Sequence, residues 1–403
     1  MIGAIAGDII GAVILGGTCT IPPVARNLAR HGVKVCVLSA EICEAQFSRY
    51  VQHFLKCPPV EDEKALVEYL LKIAKQEHLE GWVLFASNDQ YLRILASYRS
   101  LLTRHYVITV PPWEIVRFLY DKRLTYSLAK KAGIPIPETH RPVDLNELLS
   151  LNIDFPVVLK PAVTHRLLLT VQSKAYRADN RLELQNLYER MCRLIGSSDV
   201  IVQEFIPGKA AALFSFAGYF KNGDPVAGLS AKRLRQYPIE FGKLSTFVEV
   251  INNPELEKLA TRLLRSISYT GLAEVEFMWN EKHARFELLE VNARFWAWHE
   301  LTIAAGLDLP YLAFADALGK KMPIGSTRDG TKLIHLLTDM YVAGQEIYLG
   351  KLTVRQYLAS LHGGPTFAIL SLKDPLPFIV EAFFLLHRAL HKLASGKDRI
   401  SKK

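Results

Sequence analysis

The sequence lacks the features that mark a disulfide-rich, zinc-ribbon or membrane-spanning protein. Its apolar runs 1–17 and 376–386 are too short to span a bilayer, and Asp8 and Glu381 interrupt them. The cysteines are odd in number and show no CxxC spacing: Cys19, Cys36, Cys43, Cys57 and Cys192. We therefore expect a protein of a reducing, cytoplasmic compartment whose contact with a membrane is at most peripheral.

A strong charge excess is also lacking. The chain has 49 Lys plus Arg against 40 Asp plus Glu, a net charge of +9 that is spread along most of its length. It carries no RNP, zinc-finger or helix-turn-helix signature, so we predict no nucleic-acid partner. With 403 residues, half of them apolar, the chain is long enough to form two or three packed domains.

The pattern of strands and helices changes along the chain. Strands and helices alternate in the first third, which predicts a parallel α/β unit over residues 1–114. A helix predicted over about 115–131 ends at Gly133 and is followed by the extended segment IPIPE. Strands joined by tight turns then indicate an α+β domain over 115–319, and residues 320–403 form a C-terminal extension. The predicted fold class is thus α/β plus α+β.

The extension ends in an apolar helix predicted over about 376–393, and basic residues follow it. This helix either packs on the preceding domains or lies on a membrane surface as a basic amphipathic helix. The sequence leaves both interpretations open. The basic residues of this region are Arg388, Lys392, Lys397, Arg399, Lys402 and Lys403.

The most informative stretch is GLAEVEFMWNEKHARFELLEVNARFW, which begins at Gly271 and alternates as two strands around a turn. Side chains two residues apart share one face of a strand, so Glu274 and Glu276 lie together. A hairpin centred in the stretch places Glu276 opposite Glu290. The same register places Glu274 opposite Asn292.

Like charges directly opposite each other destabilise a sheet. Two carboxylates and an amide oxygen in one place are better explained by a hard divalent cation such as Mg²⁺. A solvated polar face is the alternative interpretation. Glu287 lies on the opposite strand parity from Glu290, and we assign it to that solvated surface.

Two other strands carry polar residues that suit a nucleotide. Lys160 ends the apolar strand FPVVLKP, and a lysine that emerges from a buried strand needs an anion such as phosphate. The strand VIVQEFIPG carries Gln203 and Glu204 and then becomes a linker, whose free backbone groups could bind the edge of a base.

Two groups of residues have two interpretations each. Lys232, Arg233 and Arg235 form either a basic surface turn or a site of anion capture, for which Arg235 is favoured. Asn88 and Asp89 follow a strand of the first domain. They either contribute to an acceptor site or cap a helix.

In this order the motifs resemble the ATP-grasp superfamily of carboxylate ligases. The resemblance covers DKR at 121–123, the FPVVLKP strand, the QEFIPG hinge and the EVEF and EVNARFW pair. NARFW followed by AAGLDLPYLAFADALG is similar to the branch of carbamoyl-phosphate-synthase-like and D-aspartate-ligase-like proteins. The resemblance implies an ATP-grasp fold with an N-terminal Rossmann-like preliminary domain.

The resemblance also implies roles for individual residues. Glu276, Glu290 and Asn292 would bind Mg²⁺, with Mn²⁺ as the alternative ion. Lys122 and Lys160 would hold the phosphates of ATP, Arg294 would stabilise the transferred phosphate, and Gln203, Glu204 and Phe205 would lie at the adenine hinge.

The sequence departs from the family in two places. The segment after Lys160 reads PAVTHRLLLT and has no glycine, so the contacts of the usual glycine-rich flap must come from elsewhere, and Lys174 and His165 are the candidates. Gly208 is followed by Lys209 and three alanines rather than by an acid that could bind ribose.

The implied reaction has two steps and uses small-molecule partners. A carboxylate attacks the γ-phosphate of Mg·ATP to give an acyl phosphate, and an amine then displaces phosphate. The alternatives are a non-catalytic nucleotide-binding or scaffold protein and an enzyme that uses bicarbonate. A homodimer is the default oligomeric state.

Overall fold

The computed structural model describes residues 10–164 and 173–395, which form three β-sheets with helices packed around them. His165 and the basic residues Lys397, Arg399, Lys402 and Lys403 lie outside these ranges.

The strands in the described ranges are β1 Ala12–Leu15, β2 Val35–Ser39, β3 His53–Lys56, β4 Val83–Ala86, β5 Val107–Ile108, β6 Thr139–His140, β7 Val157–Pro161, β8 Tyr176–Ala178, β9 Val200–Glu204, β10 Leu213–Lys221, β11 Asp224–Tyr237, β12 Leu244–Ile251, β13 Gly271–Asn280, β14 Arg285–Asn292, β15 Lys332–Ile334 and β16 Thr366–Phe367.

The α-helices in the same ranges are α1 Ile21–Arg30, α2 Glu63–Gln76, α3 Asp89–Ser97, α4 Arg99–Leu102, α5 Trp113–Tyr120, α6 Lys122–Lys131, α7 Leu145–Ser150, α8 Arg181–Ile195, α9 Pro254–Arg265, α10 Glu300–Ala304, α11 Leu309–Ala317, α12 Leu336–Tyr348, α13 Val354–Ser360 and α14 Leu376–Ser395.

The N-terminal sheet is parallel, with the strand order β3-β2-β1-β4-β5. Its central strands have the sequences AVIL, VCVLS and VLFA, and every residue in them is buried. Continuous apolar strands are expected in a parallel sheet because helices cover both of its faces. The carboxyl ends of β1 and β4 bring Gly16 and Asp89 to the same edge.

The helix predicted over 115–131 is two helices. The backbone of Asp121 is extended, and its side chain accepts a hydrogen bond from the N–H of Arg123, which makes Asp121 the N-cap of α6. The break makes Lys122 the first residue of a new helix, and Tyr126 lies one turn further along the same helix.

The remaining strands form two sheets. The four-stranded sheet has the order β6-β9-β7-β8 and is antiparallel. The seven-stranded sheet has the order β14-β13-β10-β11-β12-β15-β16. The strands β15 and β16, which follow residue 320, therefore extend the edge of this seven-stranded sheet beyond β12.

Two hydrophobic cores join the N-terminal sheet to the seven-stranded sheet. One contains Val13 and Leu84 together with Val275, and the other contains Ile14 together with Val250. The four-stranded sheet, with α7 and α8, has a smaller core of its own. None of the helices in the described ranges combines the length and the hydropathy of a bilayer-spanning segment.

Candidate active site

A cavity of about 350 Å³ lies where the four-stranded sheet faces the seven-stranded sheet. It gathers residues that are far apart in the sequence but that the motif analysis had singled out. These lining residues are Lys122, Lys160, Lys174, Gln203, Glu204, Phe205, Glu276 and Glu290. Asn292 and Arg294 follow Glu290 at the end of β14, while His165 falls outside the described residues.

The register of the β13–β14 hairpin confirms the predicted pairing of its polar side chains. Glu276 pairs with Glu290, and Glu274 pairs with Asn292. The Asn292 amide donates to Glu276 Oε1 at 2.8 Å and to Glu274 Oε2 at 3.1 Å. The hairpin therefore brings three carboxylates and one amide to the same end of the sheet.

Lysines surround Glu290. Lys122 Nζ lies 3.2 Å from one carboxylate oxygen, and Lys174 Nζ lies 3.8 Å from the other. Burial raises the pKa of Glu290, but the charges of Lys122, Lys174 and Lys160 outweigh burial and hold that pKa well below its usual range. One ionised carboxylate thus faces three lysines.

Lys160 is the least compensated of these lysines. Its Nζ donates to the hydroxyl of Tyr126 at 2.6 Å, and this hydroxyl donates to the Leu289 carbonyl at 2.7 Å. Burial, together with the charge of Lys122, lowers the pKa of Lys160 to about 7. An ammonium that is partly shielded from water and bonded to a neutral partner is suited to an incoming anion.

The affinity for a nucleotide should therefore fall as the pH rises through about 7, because Lys160 then loses the proton that attracts phosphate. Calorimetric titration with ADP below and above that pH measures the effect. Lys160→Gln is the matched comparison, because the variant should bind ADP more weakly and should lack this part of the pH dependence. An identical pH profile in the two proteins would contradict the assignment.

The structure places Arg233, rather than the favoured Arg235, in the cavity. Arg233 Nη2 donates to Glu276 Oε2 at 2.9 Å. Arg235 forms a bidentate pair with Asp339: Nε donates to Oδ1 at 2.9 Å, and Nη2 donates to Oδ2 at 2.9 Å. A bulge causes the difference: Arg233 pairs with Val248 and Arg235 with Phe247, so β11 has one extra residue between the two arginines. That residue turns Arg235 to the opposite face of the sheet.

Arg294 closes the end of the hairpin against the N-terminal sheet. Its guanidinium forms a pair with Asp89 at 3.0 Å and donates to Asn292 Oδ1 at 2.8 Å. Asn88 has the other predicted role, because its side chain accepts from the N–H of Tyr91 and caps α3. A smaller cavity of about 30 Å³ lies here. Its lining includes Asp89, Lys122, Thr164, Glu290 and Asn292.

The opposite end of the main cavity has aromatic walls. The rings of Phe205 and Phe241 lie 6.5 Å apart, and the Arg177 guanidinium lies 4.5 Å from the centre of the Phe205 ring. The N–H groups of Glu204 and Phe205 are already bonded to the carbonyls of Glu138 and Pro156. Any free N–H at this hinge must therefore come after Phe205.

Glu287 is buried, which corrects its assignment to a solvated surface. A bulge at Leu289 shifts the hairpin register, so Glu287 pairs with Met278 and faces the side that carries the cavity. Its carboxylate accepts from Asn280 at 3.1 Å and from Arg285 at 2.8 Å. These bonds satisfy the charge of Glu287 within the fold.

The site also uses residues that the sequence analysis did not single out. Two of them are Trp298 and Ser215, which donate to Glu274 Oε1 at 2.8 Å and 3.0 Å. Burial, with the nearby charge of Glu276, raises the pKa of Glu274 to about 7. Tyr126 could have been found from its position four residues after Lys122 on one helix face.

The donor set fits a hard divalent cation. Glu276 and Glu290 carry carboxylate oxygens on directly paired residues, and Asn292, two residues further along β14, carries an amide oxygen that accepts from Arg294 in this structure. All three side chains are largely buried, which is costly for like charges without a cation. In this structure the charge of Glu276 is balanced by Arg233, and the charge of Glu290 is balanced by Lys122 and Lys174.

Comparisons with known proteins agree with this geometry. Residues 245–324, which include the hairpin, match the family described as the ATP-binding domain of the carbamoyl-phosphate synthase L chain. The chain is 22% identical over 350 residues to a D-aspartate ligase of Enterococcus faecium, and the match covers 82% of both chains.

Two solved structures illustrate the likeness of fold between this chain and known enzymes. The biotin carboxylase domain of the 2-oxoglutarate carboxylase of Hydrogenobacter thermophilus, solved with MgADP, ADP and bicarbonate, has a TM-score of 0.63 at 15% identity, over 81% of this chain and 74% of that one. An L-amino acid ligase from Bacillus licheniformis has a TM-score of 0.59 at 17% identity, over 77% and 74%. These matches confirm the resemblance that the motifs carry: the chain has the fold of the ATP-grasp superfamily.

Proposed function

We propose that this protein is an ATP-dependent carboxylate–amine ligase. A single observation carries the proposal: Lys122 on α6, Lys160 on β7 and Lys174 just before β8 converge on one carboxylate, Glu290, so the cavity holds more positive charge there than that carboxylate balances. A polyphosphate supplies the missing negative charge. The aromatic walls around Phe205 suit the base of the same nucleotide.

The residues then divide the work of one reaction. Lys122, Lys160 and Lys174 bind and orient the phosphates, and Arg233 and Arg294 neutralise charge that develops on the transferred group. Glu276, Glu290 and Asn292 would hold Mg²⁺, which neutralises phosphate charge when it is bound.

The chemistry is balanced in two steps. An oxygen of the substrate carboxylate attacks the γ-phosphorus and ADP leaves, which gives an acyl phosphate. The amine nitrogen then attacks the acyl carbon, phosphate leaves, and the nitrogen loses a proton. Catalysis consists mainly of positioning and charge neutralisation.

We place the carboxylate and the amine on the side of the N-terminal sheet. Lys122 and Glu290 line both the smaller cavity beside Asp89 and the main cavity, so the two cavities are neighbours. In this view residues 1–114 are the Rossmann-like preliminary domain and residues 115–319 bind the nucleotide. Residues 320–403 are the C-terminal extension, whose strands β15 and β16 extend the seven-stranded sheet. The strand order β3-β2-β1-β4-β5 supports the first of these assignments.

The relatives suggest the class of substrate. Both a D-aspartate ligase and an L-amino acid ligase are similar to this chain, so we infer that an amino acid is one of the two substrates. Bicarbonate is the alternative carboxyl substrate. The carbamoyl-phosphate synthase family match and the bicarbonate in the carboxylase structure favour testing it.

The test is ADP release by the full-length protein with Mg·ATP. Four mixtures are compared: carboxylates alone, carboxylates with D-amino acids, carboxylates with L-amino acids, and bicarbonate alone. Release that appears with carboxylates only when an amino acid is added supports the ligase, and mass spectrometry of the product identifies the bond that has formed. Release with bicarbonate alone supports the alternative.

Binding of ATP without ADP release in any mixture would contradict the catalytic proposal. It would support the rival interpretation, a nucleotide-binding or scaffold protein. Lys160→Gln is the control for site-specific binding, because it removes a cavity lysine whose hydrogen-bond partner among the described residues is the neutral hydroxyl of Tyr126.

A further inference from the structure

A line of exposed apolar side chains runs along α14. Its members are spaced three or four residues apart, which places them on one face of the helix. Each of them is more than half exposed. We name this line the α14 stripe, and it consists of Leu376, Ile379, Phe383, Leu386 and Leu390.

The way in which α14 is attached leaves the stripe outside. Asp374, just before the helix, accepts from Ser48 Oγ at 2.7 Å and lies 3.6 Å from Arg26 Nη1. Pro377 and Glu381 are buried on the same side. At about 100° per residue, this anchored side and the stripe lie about 180° apart around the helix. The anchors therefore direct the apolar face away from the protein.

The chain becomes basic where the stripe ends. After Glu381 the sequence contains one acidic residue, Asp398, and six basic residues: Arg388, Lys392, Lys397, Arg399, Lys402 and Lys403. An apolar face that leads into a basic segment matches a surface with apolar material below a layer of negative charge.

We propose that the α14 stripe binds the surface of an anionic lipid bilayer, toward which the basic sequence that follows it adds electrostatic attraction. The helix would lie in the interface rather than cross it, since it does not have the hydropathy of a spanning segment. A second copy of this chain is a poorer occupant, because the stripe that it would contribute is uncharged and offers the basic residues no anionic partner, in either orientation. The proposal does not depend on the ligase assignment.

The experiment is co-sedimentation of the full-length protein with vesicles. Vesicles of phosphatidylcholine alone are compared with vesicles that also contain phosphatidylserine, at low and at high salt. We expect binding to the anionic vesicles that weakens with salt. Phe383→Glu should lower the partition coefficient about tenfold or more, because a buried aromatic side chain is lost from the interface.

The matched control is Leu182→Glu, since Leu182 is an exposed leucine on α8, which packs on the four-stranded sheet. It should bind vesicles as the unmodified protein does. A variant with Lys397, Arg399, Lys402 and Lys403 changed to Gln should lose most of the preference for anionic lipid. Circular dichroism and thermal melting verify that each variant is folded.

Three results would overturn the proposal. The first is no binding to anionic vesicles at low salt, and the second is binding that Phe383→Glu leaves unchanged. The third is a dimer in light scattering that Phe383→Glu dissociates, without any vesicle binding, which would assign the stripe to a second copy of the chain. None of these results bears on ADP release, so the two proposals fail separately.

Discussion

Replacement of Glu290 by Gln should reduce ADP release about a thousandfold, which corresponds to about 4 kcal/mol of lost transition-state stabilisation. The substitution keeps the size of the side chain but removes the carboxylate that Lys122 and Lys174 face. It also removes a carboxylate oxygen from the proposed metal ligands. Single-turnover measurements with Mg·ATP and the substrates that the ADP-release assay identifies quantify the loss.

Nucleotide binding should respond in the opposite direction. Glu290 competes with phosphate for the cavity lysines, so ADP binding in the absence of Mg²⁺ should stay equal or become tighter in Glu290→Gln. Glu281→Gln is the matched control, because Glu281 is exposed in the turn of the same hairpin. Full ATP turnover by Glu290→Gln would remove Glu290 from the proposed mechanism.

Replacement of Arg235 by Met should lower the free energy of unfolding by about 3–5 kcal/mol. The reason is Asp339, which has no exposed surface and pairs with Arg235 through two guanidinium nitrogens. Removing the arginine leaves a buried carboxylate whose described side-chain partner is the Thr246 hydroxyl at 2.8 Å. Urea unfolding followed by circular dichroism measures the change.

Arg233→Met separates the two arginines. It removes a cation from the cavity. The rate of ADP release should therefore fall, while the free energy of unfolding should change less than it does in Arg235→Met. Arg235→Met combined with Asp339→Leu should recover most of the lost stability, because no unpaired charge stays buried. If Arg235→Met instead abolished ADP release and left stability unchanged, the division of roles between the arginines would be wrong.

Much of the fold could be predicted because it depends on local patterns. The buried strands AVIL, VCVLS and VLFA indicated a parallel α/β unit, since such strands need cover on both faces. The two-residue period of the hairpin also predicted the pairs Glu276–Glu290 and Glu274–Asn292. Period and spacing are properties of a short segment, and they survive in any tertiary arrangement that keeps the segment extended.

The errors have a common cause in single residues that interrupt a period. One extra residue in β11 sends Arg235 away from the cavity that Arg233 enters. One extra residue at Leu289 turns Glu287 toward the cavity side of the hairpin. Such bulges change the face of every later side chain, but they leave the composition and spacing of the motif unchanged. Similarly, the Asp121 cap divided a helix whose apolar pattern is continuous.

By itself the sequence determined the order of the motifs, the register around Glu276 and the resemblance to ATP-grasp ligases. Only the tertiary structure decided which arginine enters the cavity, which lysines converge on Glu290 and which face of α14 stays exposed. The physical reason is that local periodicity sets the direction of a side chain relative to its own strand or helix. The partner of that side chain is set by segments that are up to hundreds of residues away, as Asp89 with Arg294 and Arg26 with Asp374 illustrate.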